Sequence, residues 1–114
     1  MPATTLSTEL QPSRDQAGLA RDLCVALLTP RDPGEMAALL ADLCTPAEVR
    51  ILAERWHVAR LLEEGRLSYR EIHDATGVST TTIVRVARFL RQEPNQAYRL
   101  AIRRIAEAEG APYA

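Results

Sequence analysis

The chain has 114 residues, 46% of them hydrophobic and 4% aromatic, which is enough for one small domain and leaves a thin core for a lone copy. Its formal net charge of −1 excludes a uniformly basic protein, but it averages two unlike parts. Residues 1–64 hold six Arg against ten Asp and Glu, a balance of −4, while residues 65–104 hold eight Arg against three acids, a balance of +5.

No run alternates with period two, glycine is scarce, and Ala, Leu and Arg dominate, so the fold class is all-α with about six helices. Cys24 and Cys44 each stand inside an apolar run without a CxxC spacing or histidine neighbours, and are read as buried thiols of a cytoplasmic protein. The first dozen residues lack a basic stretch followed by an apolar one, and no apolar run reaches bilayer length. The expectation is no signal peptide, no membrane span, no metal and no cofactor.

Residues 1–12, with two prolines and three threonines, are expected to form a flexible arm, and residues 110–114 a tail. The helical domain is placed at 13–109. Its first helix is predicted from Ser13, with Asp15 in the opening turn, to about Leu28, and presents Leu19, Leu23, Ala26 and Leu27 on one side. Thr29-Pro30-Arg31-Asp32-Pro33 breaks it, with Asp32 as cap and Pro33 at the first position of a second helix that carries Met36, Leu39, Leu40 and Leu43. Thr45-Pro46-Ala47-Glu48 repeats the signature of cap, first-turn proline and third-position glutamate. It opens the longest helix, Pro46 to Glu64, which Gly65 closes.

This third helix is apolar on more than one side. Val49, Leu52, Ala53, Trp56, Ala59 and Leu62 form one broad face, to which Ile51, Val58 and Leu61 add. A helix apolar nearly all round is buried nearly all round, which a few short helices of one chain hardly provide. The first and third helices are therefore expected to form the centre of an intertwined homodimer. Trp56 is read as a core residue and His57 as a solvated or hydrogen-bonded helical one.

The segment 68–91, SYREIHDATGVSTTTIVRVARFLR, contains two helix starts eleven residues apart. Ser68 with Glu71 is a capping box opening a short helix whose buried side is Ile72 and Ala75, and Gly77 ends it. Ser79 or Thr80 caps the next helix, which runs to about Arg91. Two short helices joined by a tight glycine-containing turn are the sequence form of a helix-turn-helix. Ile83, Val86, Ala87 and Leu90 define the inner face of its second helix. Thr80, Thr81, Val84, Arg88 and Arg91 lie opposite. Hydroxyls, methyls and arginines on one exposed helix face suit base edges and phosphates in a major groove. A threonine-rich solvated helix in an ordinary bundle is the plainer alternative. After Gln92-Glu93-Pro94-Asn95, another stop and cap, a last helix from about Gln96 to Glu109 places Tyr98, Ala101, Ile102 and Ile105 inside and Arg99, Arg103 and Arg104 outside.

Three stretches carry a family resemblance. They are Asp42-Leu43-Cys44-Thr45-Pro46, then Glu64-Gly65 to Ser68-Tyr69-Arg70-Glu71-Ile72, and above all Thr76-Gly77-Val78-Ser79-Thr80-Thr81-Thr82-Ile83 with Arg85-Val86-Ala87-Arg88-Phe89-Leu90. Over roughly residues 13–108 the chain resembles the Trp-repressor-like family, and within it the YerC/YecD group. The resemblance implies an all-α, intertwined homodimer of Trp-repressor type that binds double-stranded DNA at a pseudo-palindromic operator and regulates transcription, as a repressor. Carried over residue by residue, the DNA-contacting positions are Tyr69, Arg70 and His73 on the first short helix and Ser79, Thr80, Thr81 and Val84 on the second. Arg70 is the candidate for a guanine contact and Arg88 for a phosphate contact.

The resemblance also implies an effector pocket at Thr45, Arg55, Arg85, Val86 and Phe89. Where the family pocket has glycine and serine beside the bound ring, this chain has Val86 and Phe89. Phe89 lies one turn beyond Arg85, so its ring is expected to take the space of an indole and L-tryptophan is disfavoured as effector. In the alternative reading, Arg55 and Arg85 pair with acids such as Glu48 or Glu54. Two further readings stay open, a helical protein-interaction module that has lost DNA binding and an effector-gated repressor. No paired carboxylates, Ser-His-Asp set, metal cluster or phosphate loop points to an enzyme.

Overall fold

In the computed structural model, residues 15–110 are described and form six helices: α1 (Gln16–Leu27), α2 (Pro33–Leu43), α3 (Pro46–Glu64), α4 (Tyr69–Thr76), α5 (Thr80–Arg91) and α6 (Ala97–Ala108). Strands are absent among the described residues, and none of the helices is long and apolar enough to cross a membrane. The expected arm at 1–12, the start at Ser13 and the tail residues 111–114 lie outside the described residues. The chain divides into two compact units, residues 1–46 and 47–114.

In the first unit, local chemistry sets the helix ends. Asp15 is not inside the opening turn of α1 as predicted. Its backbone is extended and its carboxylate accepts from the Ala17 N–H at 3.2 Å, so it caps a helix that begins at Gln16. Asp32 caps α2 by accepting from the Glu35 N–H at 2.9 Å, with Pro33 in the first turn, and the Glu35 carboxylate takes the Arg31 N–H at 2.8 Å. Neither α1 nor α2 buries a single residue. Leu19 and Leu23 are 43% and 44% exposed, and Leu28 and Leu43 more so. Cys24 is exposed and Cys44 half-buried, so the thiols expected to be buried are not: Cys24 lies on the open side of α1 and Cys44 at the end of α2.

The second unit has a core. Val58, Ala59 and Leu62 of α3, Ile72 of α4, Val78 of the turn and Ile83, Val86, Ala87 and Leu90 of α5 are buried together, with Leu61, Leu67 and Tyr98 against them. At about 1.5–3 kcal/mol for each fully buried branched side chain, this cluster fixes where α4 and α5 sit. α3 contributes only with its C-terminal half. Ile51, Leu52 and Ala53 are exposed and Trp56 is half-buried, stacked on Tyr98 at a centroid distance of 6.4 Å, so the broad apolar face is not wholly covered as expected. His57 is exposed, as expected.

α4 and α6 each depart from the predicted inner face by one residue. Ala75 is exposed, leaving Ile72 as the buried residue of α4. In α6, Ile102 and Ala106 are buried while Ile105 is exposed, so the stripe is rotated by one position. Asn95 does not cap α6. Gln96 does so with a left-handed backbone (φ 53°) and no side-chain cap bond; its amide instead donates to the Glu93 carbonyl at 2.6 Å.

Candidate nucleic-acid interface

Ser68 and Glu71 start α4 by exchanging bonds. The Ser68 N–H donates to the Glu71 carboxylate at 2.8 Å, and the Glu71 N–H donates to the Ser68 hydroxyl at 3.1 Å. The first of these bonds, with help from the Ser68 side chain, holds the Glu71 carboxyl below the ordinary carboxylate range. Gly77, at φ 76°, ends the helix in the left-handed region that glycine enters without a Cβ penalty.

The three-residue turn from Gly77 to Ser79 is tied down on both sides. The Thr76 hydroxyl donates to the Ile72 carbonyl at 2.7 Å and accepts from the Val78 N–H at 3.1 Å. His73 Nδ1 lies 2.8 Å from the Val78 carbonyl; since a carbonyl only accepts, Nδ1 is the donor. His73, predicted as a DNA contact, is thus also the fastener of the turn.

Ser79 is the cap of α5, accepting from the Thr82 N–H at 3.2 Å while its hydroxyl donates to that of Thr82 at 3.0 Å. The four apolar residues at helical spacing are all buried, as predicted. Their burial turns Thr80, Thr81 and Val84 outward, and Val84 is 56% exposed. Arg70 is exposed, with no ion pair or hydrogen bond among the described residues.

The remaining cations are not equivalent. Arg88 pairs with Glu93 at 3.3 Å and its guanidinium lies 5.0 Å from the centre of the Phe89 ring. Arg99 pairs with Glu63 at 3.0 Å, and Arg103 and Arg104 are exposed. Arg91 donates from Nη1 to the Tyr69 hydroxyl at 3.2 Å and from Nη2 to the Leu62 carbonyl at 3.4 Å, joining the ends of α3 and α5 to the start of α4. Tyr69, Val84, Ala87, Arg88, Arg91 and Gln92 line one groove of about 270 Å³. The Arg91 link was not readable from sequence, because its partners stand 22 and 29 residues away.

Of the residues proposed for an effector pocket, Arg85 and Phe89 share one cavity and Val86 does not. Arg85 and Phe89 line a cavity of about 350 Å³ with Trp56, Asn95, Gln96, Ala97, Tyr98 and Ala101. Val86 is not a wall of it: it is 1% exposed in the core, because it belongs to the inner stripe of α5. Thr45 belongs to the first unit. The Arg85 guanidinium lies 4.5 Å from the Phe89 ring centre, and Arg85 has no acid in ion-pair range among the described residues. The predicted pairing of Arg85 with an acid is therefore replaced by a cation–π contact. Arg55 Nε is buried with no hydrogen-bond partner.

Comparison with known proteins agrees with this architecture. The family model described as Trp repressor protein matches residues 20–106. A relative from Bacillus subtilis (strain 168), named uncharacterized protein YerC, is 43% identical over 84 residues, covering 74% of this chain and 79% of its own. No solved structure gives a significant match. With six helices, no strand among the described residues and a family match over most of its length, the chain belongs to the Trp repressor family.

Proposed function

We propose that this chain is a cytoplasmic transcriptional regulator that binds double-stranded DNA as a homodimer at a pseudo-palindromic site and represses by excluding polymerase. The observation that carries the reading is the outer face of α5. Its inner residues are locked in a core while Ser79, Thr80, Thr81 and Val84 stand at or near an open helix start, in a chain of a DNA-binding family. Such a tip meets base edges in a major groove, with Arg70 reaching a guanine and Tyr69 and His73 flanking the backbone. The second copy is supported by α1 and α2, in which no leucine is buried and Leu19, Leu23 and Leu43 are exposed.

Selection of bound fragments from genomic DNA, followed by mobility shift, tests the reading. One enriched motif with two half-sites is expected, and Arg70→Ala should cost about 1–3 kcal/mol and relax sequence preference. Negligible, salt-insensitive binding to every duplex would favour a protein-interaction module instead. L-tryptophan does not gate binding on this reading, since the Phe89 ring already lies against the Arg85 guanidinium. Calorimetry with L-tryptophan should give no heat of binding, and micromolar binding would contradict this.

A further inference from the structure

We propose that the groove between the start of α4 and the end of α5 seats one backbone phosphate of the bound duplex, with Arg91 as its direct ligand in place of the Arg88 that sequence spacing suggests. This rests on the DNA-binding reading above. Three observations carry it.

The first is that Arg91 is held. Its two bonds, to the Tyr69 hydroxyl at 3.2 Å and to the Leu62 carbonyl at 3.4 Å, orient the guanidinium before any ligand arrives. Leu62 lies in the last turn of α3, where carbonyls have no partner within their own helix, so Arg91 also satisfies one of those acceptors. A side chain already ordered loses less freedom on binding.

The second is that the donors are not exhausted. A guanidinium has five N–H groups, and two are used here, which leaves three for an anion. The Tyr69 oxygen accepts from Arg91, so its own proton is free to be donated outward. The phenol and the guanidinium are bonded to each other and line the same groove, so an anion seated there would meet both.

The third is that Arg88, though it lines the same groove, is drawn away by Glu93 and by the face of Phe89. Of the two cations there, Arg91 is the one whose charge no carboxylate among the described residues offsets.

The test is the salt dependence of binding of the full chain to one fixed duplex and to a scrambled duplex, read by fluorescence anisotropy. In Arg91→Ala the slope of log affinity against log salt should fall by about 0.9, the release expected for one phosphate. Both duplexes should weaken alike, and Arg88→Ala should change the slope less. Because Arg91 also ties three helices, far-ultraviolet circular dichroism is run alongside. If Arg91→Ala does not fold, Tyr69→Phe decides, with a loss of roughly two- to tenfold for both duplexes. A folded Arg91→Ala with the wild-type slope, or a Tyr69→Phe with wild-type affinity, overturns the seat while leaving DNA binding intact. A wild-type chain that binds no duplex overturns the function and the seat together.

Discussion

The two units of the chain treat similar sequence patterns differently. From Ala47 onward, a helical apolar stripe ends in a core: Val58, Ile72, Ile83, Val86 and Leu90 are shut off from solvent. Before it, α1 and α2 carry leucines at equally regular spacing and bury none of them. An amphipathic stripe thus states that something must cover it and does not name the cover. In α4 and α5 the cover is the neighbouring helix of the same chain; for α1 and α2 the proposed cover is the second copy. The core holds the α5 tip in place, and the open faces would set the distance between two such tips.

The largest expected effect lies in the core. Leu90→Ala or Ile83→Ala should destabilise by about 2–5 kcal/mol in chemical denaturation. Leu28→Ala, at a position 84% exposed, should fall within about 0.5 kcal/mol. Equal losses at the two sites would erase the contrast between the units. Next, Leu19→Glu with Leu23→Glu should convert a dimer to monomers in sedimentation velocity while far-ultraviolet circular dichroism keeps the helices of the second unit. A dimer that survives both changes would place the interface elsewhere.

Smaller effects probe the turn. Gly77→Ala forces a Cβ into the left-handed region and should cost about 1–2 kcal/mol. Ser79→Ala should cost about 1 kcal/mol by removing the cap of α5. The smallest effect is a pH dependence. The Glu71 carboxyl is lowered on folding from its ordinary value of 4.5, so its contribution is fully present above that value and is lost as pH falls below it through the folded value. Glu71→Gln should flatten that part of the acid limb of the unfolding curve. An unchanged limb would assign the acid sensitivity to other carboxylates.

Much of the second unit was legible because its signals are local. The bounds of α3, the capping box at Ser68, the glycine at 77 and the inner face of α5 each depend on residues within a turn of one another. What failed depends on distant groups. Ala75 has the right spacing to be inside, but nothing packs over it there. Trp56 reads as core and instead forms a cavity wall with Tyr98, on a helix far along the chain. At the candidate site, the exposed Thr80, Thr81 and Val84 followed from periodicity, whereas the different fates of Arg88 and Arg91 turn on Glu93, Tyr69 and Leu62. Periodicity gives the side of a helix on which a cation lies, and only the fold decides whether it is already engaged.

In the proposed function two copies present paired α5 tips to one duplex. Native mass spectrometry of the full chain with the duplex recovered from genomic selection tests it most directly. The account predicts two chains per duplex, with the ratio falling to one on a half-site. A single chain on the full site, or free duplex at every protein concentration, would contradict it.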